Sequence, residues 1–207
     1  NGVAQALPIL EIGAGRGELQ TILREGGLPT YGVDLDLAMC ERCKSIGLDV
    51  RHENGIEHLS NLPDRSLSGL IAVQVVEHLP IDVLRLLLQL CSKKVAVNGL
   101  VIFETINTSS ILALSHNYFR DPTHIWPLHP DTMRFLVDVS GLDVVDVRYL
   151  SEYPSGATLQ QVPVTDSSQA ESSPMLNEAV EVINRNTKEL NRLIFGAQDY
   201  CIIARAQ

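Results

Sequence analysis

Apolar runs bounded by Gly, Pro or Asp alternate along this chain with segments in which apolar positions recur at helical spacing. That alternation is the pattern of a parallel sheet wrapped by helices. The first predicted strand spans residues 8–12, and a helix follows over about 17–25, stopped by Gly26 and Gly27. A second strand at 30–33 leads into a helix at 37–45 closed by Gly47, then a short third strand at 48–52. A short helix over 56–61 ends before Pro63. Residues 67–75 are almost continuously apolar, as expected of a strand buried on both faces. The next helix covers 80–91, with Pro80 suited to its first turn. Residues 95–97, an Asn98-Gly99 turn and residues 100–104 give the fifth strand. A helix over 130–139 has Gly141 just past its end. Strands at 142–149 and 200–204 complete the set.

The 207 residues suit one α/β domain, 1–207, with a loop-helix insertion at about 151–198. The insertion's first half is rich in Ser, Pro, Gln and Thr and has the composition of a mobile loop, while 175–193 has helical period. The short lead before the first strand suggests that the natural protein carries a helix or domain ahead of residue 1.

Composition narrows the function. With 45% hydrophobic and 20% charged residues the chain has the make-up of a soluble globular protein. It has no apolar stretch long enough to span a bilayer and no signal-peptide pattern. A formal charge of −9, with only Lys93 and Lys94 adjacent among the bases, disfavours a nucleic-acid partner. Cys40 and Cys43 form a C-x-x-C, but no second pair completes a zinc site, so reduced, partly buried thiols on one helix are the simpler reading. A reduced, cytoplasmic protein is the expectation.

The chemistry starts at Leu10-Glu11-Ile12-Gly13-Ala14-Gly15-Arg16-Gly17, three glycines where a strand turns into a helix. Such a turn brings backbone N–H groups and a helix N-terminus close to a ligand. The spacing is G-x-G-x-G rather than the G-x-G-x-x-G of dinucleotide sites, and Glu11 lies inside the strand. A carboxylate there suits the amine and sulfonium of S-adenosylmethionine better than a pyrophosphate, which disfavours NAD. Asp34 follows the second strand, where a carboxylate can accept both ribose hydroxyls. Asp36 has the place of a helix N-cap.

In order and spacing, LEIGAGRGE, YGVDLD, ENGIEHL and AVQVVEHLP resemble the successive motifs of class I S-adenosylmethionine-dependent methyltransferases, from residue 8 to about 150. The resemblance implies a Rossmann-like, doubly wound, mostly parallel seven-stranded sheet with an antiparallel last strand. It assigns cofactor contacts to Glu11, Gly13, Ala14, Gly15 and Gly17 at the methionine end, and to Asp34 with Leu35 at the ribose. Asn54 falls where a polar residue meets the adenine amine, with Gly55 and Ile56 beside the ring, and Gln74 and Val75 line the methionine end. Asn54 stands where Asp is commoner, and Gly69 replaces the usual acid at the start of strand four.

An alcohol or phenol acceptor must also lose a proton, so a nearby His or metal is expected. His78 follows strand four at the carboxyl edge of the sheet, and His124 lies in a loop returning to that edge. Either is a candidate base; a packing or capping role is the alternative for His78. That loop also holds Tyr118, Arg120, the only Trp and His129, a make-up suited to facing substrate. Its D-P-T-H followed by P-L-x-P resembles bacterial methyltransferases associated with glycan and O-antigen assembly. Glu104, Thr105 and Asn107, after strand five, are expected to border the acceptor, with His116, Arg120 and His129 as further candidates. Arg120 could meet a phosphate or carboxylate, or pair with Asp121.

Gln74, Glu77, His78 and His124 also resemble the metal-binding E-x-x-E-H with distant His of small-RNA 2′-O-methyltransferases, but Gln74 replaces the leading Glu. Glu77, His78 and His124 could still hold a divalent metal; metal-free histidines are the favoured reading. The sequence thus points to an enzyme that O-methylates a sugar or glycan intermediate. The alternatives are a phenolic or quinone-like small metabolite as acceptor, or a catalytically silent cofactor-binding module of a larger glycan-assembly protein.

Overall fold

A computed structural model describes residues 6–163 and 174–207. Seven strands form one sheet in the order β3-β2-β1-β4-β5-β7-β6. The strands are β1 (Ile9–Ile12), β2 (Thr30–Asp34), β3 (Val50–His52), β4 (Leu67–Val73), β5 (Val95–Ile106), β6 (Leu142–Leu150) and β7 (Asp199–Ala206). β1 to β5 are parallel, and β7 runs antiparallel between β5 and β6, as the family resemblance implies. The helices are α1 (Glu18–Glu25), α2 (Leu37–Ser45), α3 (Gly55–Asn61), α4 (Ile81–Lys94), α5 (Pro130–Asp138) and α6 (Pro174–Ile194). The strand order reverses between β1 and β4, and a crevice opens at the carboxyl ends of strands where an α/β sheet makes that reversal.

The core is the expected apolar set. Leu10, Val33, Leu70, Val101, Phe103 and Ile202 from the sheet pack with Leu84, Leu87, Leu88 and Cys91 of α4 and Met133 and Val137 of α5. A smaller cluster joins Ala14, Leu48 and Val50 to Cys40 and Cys43. The C-x-x-C therefore packs under the glycine turn, and all four cysteines are buried and free. Asp36 caps α2, accepting from the amides of Ala38 and Met39.

Three local expectations change. Asn98-Gly99 is not a chain reversal but a bulge within β5, whose pairing with β4 jumps from Leu67–Val95 to Gly69–Leu100. A Cβ on Gly99 would meet the Ser68 carbonyl oxygen at 2.6 Å, so only glycine allows the strands to stay paired around the bulge. β4 stops at Val73 because Gln74 takes a left-handed conformation, φ +53°, and a 3₁₀ turn follows over Val76–His78. A π-helical turn, Ala113–Tyr118, occupies a stretch where periodicity indicates no element.

α6 carries the helical period expected of 175–193, and residues 164–173 of the predicted mobile loop lie outside the described residues. Asn191 grips the backbone of Leu159 through both its amide groups, and Asn184 does the same at Val162. Among the described residues no helix is long and apolar enough to cross a membrane.

Candidate functional site

At the reversal between β1 and β4 lies a groove lined by Ile12, Gly13, Val33, Asp34, Leu35, Glu53, Asn54, Gly55, Ile56, Val75 and Leu79. Its walls are mostly apolar and its charged groups sit at the ends of β2 and β3. Asp34 is fixed there: Oδ2 accepts from the Gly15 amide at 2.7 Å and Oδ1 from the Asp36 amide at 2.8 Å. Both oxygens keep a free lone pair for a ligand.

Gly13 and Gly15 have positive φ, +75° and +52°. A Cβ on Gly13 would sit 2.5 Å from Val75 Cγ2, whereas one on Gly15 would meet nothing. Gly15 thus faces open space, and Gly13 is required by the close approach of the strand-four turn. Gly17 has a packing reason instead: a Cβ there would be 2.4 Å from Leu48 Cδ1 and 2.9 Å from Cys43 Sγ. Gly17 thus carries a packing requirement of its own, and Ala14 packs in the same small core cluster.

Glu11 is 3% exposed, and its Oε2 has no hydrogen-bond partner among the described residues. Burial, with smaller contributions from the charges of Asp34 and Glu18, pushes its carboxyl up to about 7. A buried carboxylate with one oxygen unpaired behind a glycine turn fits a cationic ligand group, because a cation would supply the missing compensation.

Asn54 stands at the N-terminus of α3. Its Oδ1 caps α3, accepting from the amides of Ile56 at 2.9 Å and Glu57 at 3.2 Å. Both carbonyl lone pairs are spent, so only its NH₂ group is available to a ligand.

Beside this groove, across Gln74, a second pocket of about 540 Å³ is lined by Gln74, Glu77, His78, Ile106, Asn117, Arg120, Asp121, Pro122 and His124. The loop containing His124 is docked on the turn after β4: the amides of Ile125 and Trp126 donate to the Glu77 carbonyl, at 2.9 and 3.4 Å. Leu128 anchors its far side, its carbonyl accepting from Thr108 Oγ1 and the buried Tyr200 hydroxyl.

The two histidines are ring neighbours, centroids 4.7 Å apart. His124 Nδ1 donates to the Tyr118 carbonyl at 2.6 Å, and its ring stacks on Tyr118. Thr123 Oγ1 donates to Asp121 Oδ1 at 2.6 Å, leaving its lone pair to accept from His78 Nδ1 at 3.0 Å. Each ring thereby has its Nδ1 engaged and presents Nε2 with a lone pair. Glu77 is 1% exposed, among the described residues neither of its carboxylate oxygens has a hydrogen-bond partner, and burial pushes its carboxyl up. One ligand atom each from Glu77, His78 and His124 lies within 4.8 Å of the others.

Several expected acceptor residues do not line this pocket. Tyr118 is buried behind His124. Asn107 is tied to the Ala197 carbonyl and to Ser109, and borders a separate hollow with Arg192. His129 caps α5, accepting from the Asp131 amide, because Pro130 at the first helical position leaves the next amide to be capped. His116 is exposed, with only Ser115 beside its ring. Glu104 and Thr105 lie on β5 next to the pocket; burial raises the Glu104 carboxyl. Arg120 lines the pocket and makes no ion pair among the described residues, so the alternative of a pairing with Asp121 does not form. Sequence reasoning passed over Glu53, Asp121 and Thr123, whose adjacency to Asn54 and His124 was the available signal.

A family model described as a methyltransferase domain matches residues 4–147. An S-adenosylmethionine-dependent methyltransferase from Archaeoglobus fulgidus is similar over 97% of this chain and 86% of its own, with 34% identity and a TM-score of 0.87. Phosphoethanolamine N-methyltransferase 2 of Haemonchus contortus shares the fold at 13% identity and TM-score 0.63, over all of this chain and 50% of its own. Geranyl diphosphate C-methyltransferase of Streptomyces coelicolor does so at 12% identity and TM-score 0.62, over 98% and 72%. No curated protein matches. The chain belongs to the class I S-adenosylmethionine-dependent methyltransferases.

Proposed function

We propose that this methyltransferase O-methylates a sugar or glycan hydroxyl, with residues 1–207 acting as one domain. The polar lining of the 540 Å³ pocket carries that reading. Only Ile106 and Pro122 are apolar there, while Gln74, Asn117, Arg120, Asp121 and the two histidines offer both donors and acceptors. A polyhydroxyl acceptor satisfies such groups; a flat phenol would leave several of them buried and unpaired.

In this reading Asp34 holds the ribose, Gly13 and Gly15 admit the methionine portion, and Glu11 compensates its cationic end. Bound S-adenosylmethionine supplies an electrophilic methyl on a sulfonium, so the protein's tasks are placement and proton removal. His78 Nε2 or His124 Nε2 takes the acceptor hydroxyl proton as oxygen attacks. The Asp121–Thr123–His78 chain and the Tyr118 carbonyl hold these rings in the tautomer that can accept it. Arg120 suits a phosphate or carboxylate on the acceptor.

A second reading of the same cluster is that Glu77, His78 and His124 hold a divalent cation. Glu77, buried with both oxygens unpaired among the described residues and grouped with one ring nitrogen each of His78 and His124, favours it. A cation there would act by lowering the pKa of a bound hydroxyl.

Labelled methyl transfer to a panel of glycosides, nucleotide sugars and phenols tests the assignment. Transfer to glycosides, lost in His78→Ala combined with His124→Ala, is expected. Transfer to phenols alone would replace the acceptor class, and no transfer to any class would favour a silent binding module.

A further inference from the structure

We infer that Glu53, rather than Asn54, accepts the hydrogen bond of the cofactor's adenine amino group, and that His58 and Tyr31 hold it in place. This rests on the cofactor reading above. The adenine ring offers an amino donor and, beside it, a ring nitrogen acceptor. A site that recognises it needs one acceptor and one donor at the apolar slot. Asn54 fails as the acceptor because its oxygen is committed twice to the amides of α3. Its NH₂ group remains, which can only donate.

Glu53 lines the same groove between Asp34 and Asn54. One carboxylate oxygen, Oε2, receives the Nδ1 hydrogen of His58 at 2.6 Å. His58 Nε2 in turn meets the Tyr31 hydroxyl at 3.0 Å. Tyr31 and His58 are buried, 7% and 9% exposed, and the Arg51 guanidinium lies over the Tyr31 ring at 4.5 Å. A buried hydrogen-bonded chain thus ends on one oxygen of a half-exposed carboxylate and leaves the other oxygen without a partner among the described residues. A surface glutamate that served only solubility would not be held this way, since fixing it costs rotamer freedom. Glu53 as acceptor and Asn54 NH₂ as donor match adenine. They mismatch hypoxanthine, in which the amine becomes an oxygen and the ring nitrogen gains a hydrogen.

The test is calorimetric titration of the whole chain with S-adenosylhomocysteine and S-inosylhomocysteine. The unaltered protein is expected to prefer the adenosyl compound by about tenfold or more, the effect of one unsatisfied polar group. In Glu53→Gln the amide can turn its NH₂ to the oxo group, and the preference should fall at least fivefold. Tyr31→Phe leaves Glu53 in place and removes only the far end of the chain; a two- to threefold fall in the preference is expected, a base-selective change that altered packing alone would not give. Undiminished preference in Glu53→Gln overturns the assignment, as does equal binding of both compounds by the unaltered protein. Binding of neither compound overturns the cofactor assignments as a whole.

Discussion

The Gly15 amide donates to Asp34 Oδ2 at 2.7 Å, joining the glycine turn after β1 to the acid at the end of β2. The two sides of the groove are therefore one hydrogen-bonded unit. Gly15 shapes the turn, and Asp34 holds it while presenting its remaining lone pairs to the groove.

Asp34→Ala should consequently cost both stability and affinity. Loss of the acceptor for two backbone amides is expected to remove about 1–3 kcal/mol of stability. S-adenosylhomocysteine affinity should fall by roughly tenfold or more, since charged hydrogen bonds to the ribose are lost. Asp34→Asn, which keeps one carbonyl oxygen, should retain more stability than affinity. Thermal melting and calorimetry on the two variants separate these effects, and wild-type affinity in Asp34→Ala would exclude the ribose role.

Glu11 predicts a pH dependence. Its folded pKa, about 7, lies above its value in the unfolded chain, so the folded state holds the proton longer. Between the unfolded value and about 7 the free protein loses stability as pH rises, by up to about 3 kcal/mol if the full displacement is realised. Above 7 that contribution is flat. A ligand amine reverses the preference by favouring the carboxylate, so S-adenosylhomocysteine affinity should rise from pH 6 to 8. Glu11→Gln should flatten both trends, which assigns them to Glu11.

The glycines of the turn divide by cause. Gly17→Ala drives a methyl into Leu48 and Cys43 at φ +84°, and should cost about 2–4 kcal/mol. Gly15→Ala meets no atom and should cost only about 1 kcal/mol for its positive φ. Its methyl, however, projects into the space a ligand would use. Melting temperature should fall more for Gly17→Ala, and affinity more for Gly15→Ala.

The seven-stranded, mostly parallel sheet and most helix ends were legible in the sequence because each rests on local chemistry. Strand β4 is a run of apolar residues, Asp36 and Gly141 mark helix ends, and Glu11 and Asp34 flank a glycine turn. What was not legible depended on partners distant in the chain. Asn98-Gly99 has the composition of a turn, but Ser68 and Leu67 of the neighbouring strand decide that it is a bulge. Gly17 has the same spacing role as Gly15 until Leu48 and Cys43 are seen behind it. Asn107 and His129 are polar residues in suitable loops, yet Ala197 and the amide of Asp131 absorb their hydrogen-bonding groups. Side-chain type indicates what a residue can bond; only the fold indicates what has already bonded it.

The cluster at the acceptor pocket yields the sharpest remaining prediction. A carboxylate 1% exposed, without a partner among the described residues and grouped with the imidazoles of His78 and His124, is satisfied in one of three ways: by a proton, a divalent cation or the acceptor itself. Imidazole ligands favour Zn²⁺ or Co²⁺ over Mg²⁺. If a cation binds, Zn²⁺ or Co²⁺ at a hundredfold its Kd should stabilise the protein by about 2.7 kcal/mol, while Mg²⁺ should do little. Glu77→Gln and His124→Ala should each abolish that stabilisation. In the absence of metal, Glu77→Gln should be neutral or stabilising, because it removes a buried acid that lacks partners. Methyl transfer should then fail in chelator and recover on adding back the cation. Turnover that survives chelator, with no thermal shift for any cation, would leave His78 and His124 as metal-free bases.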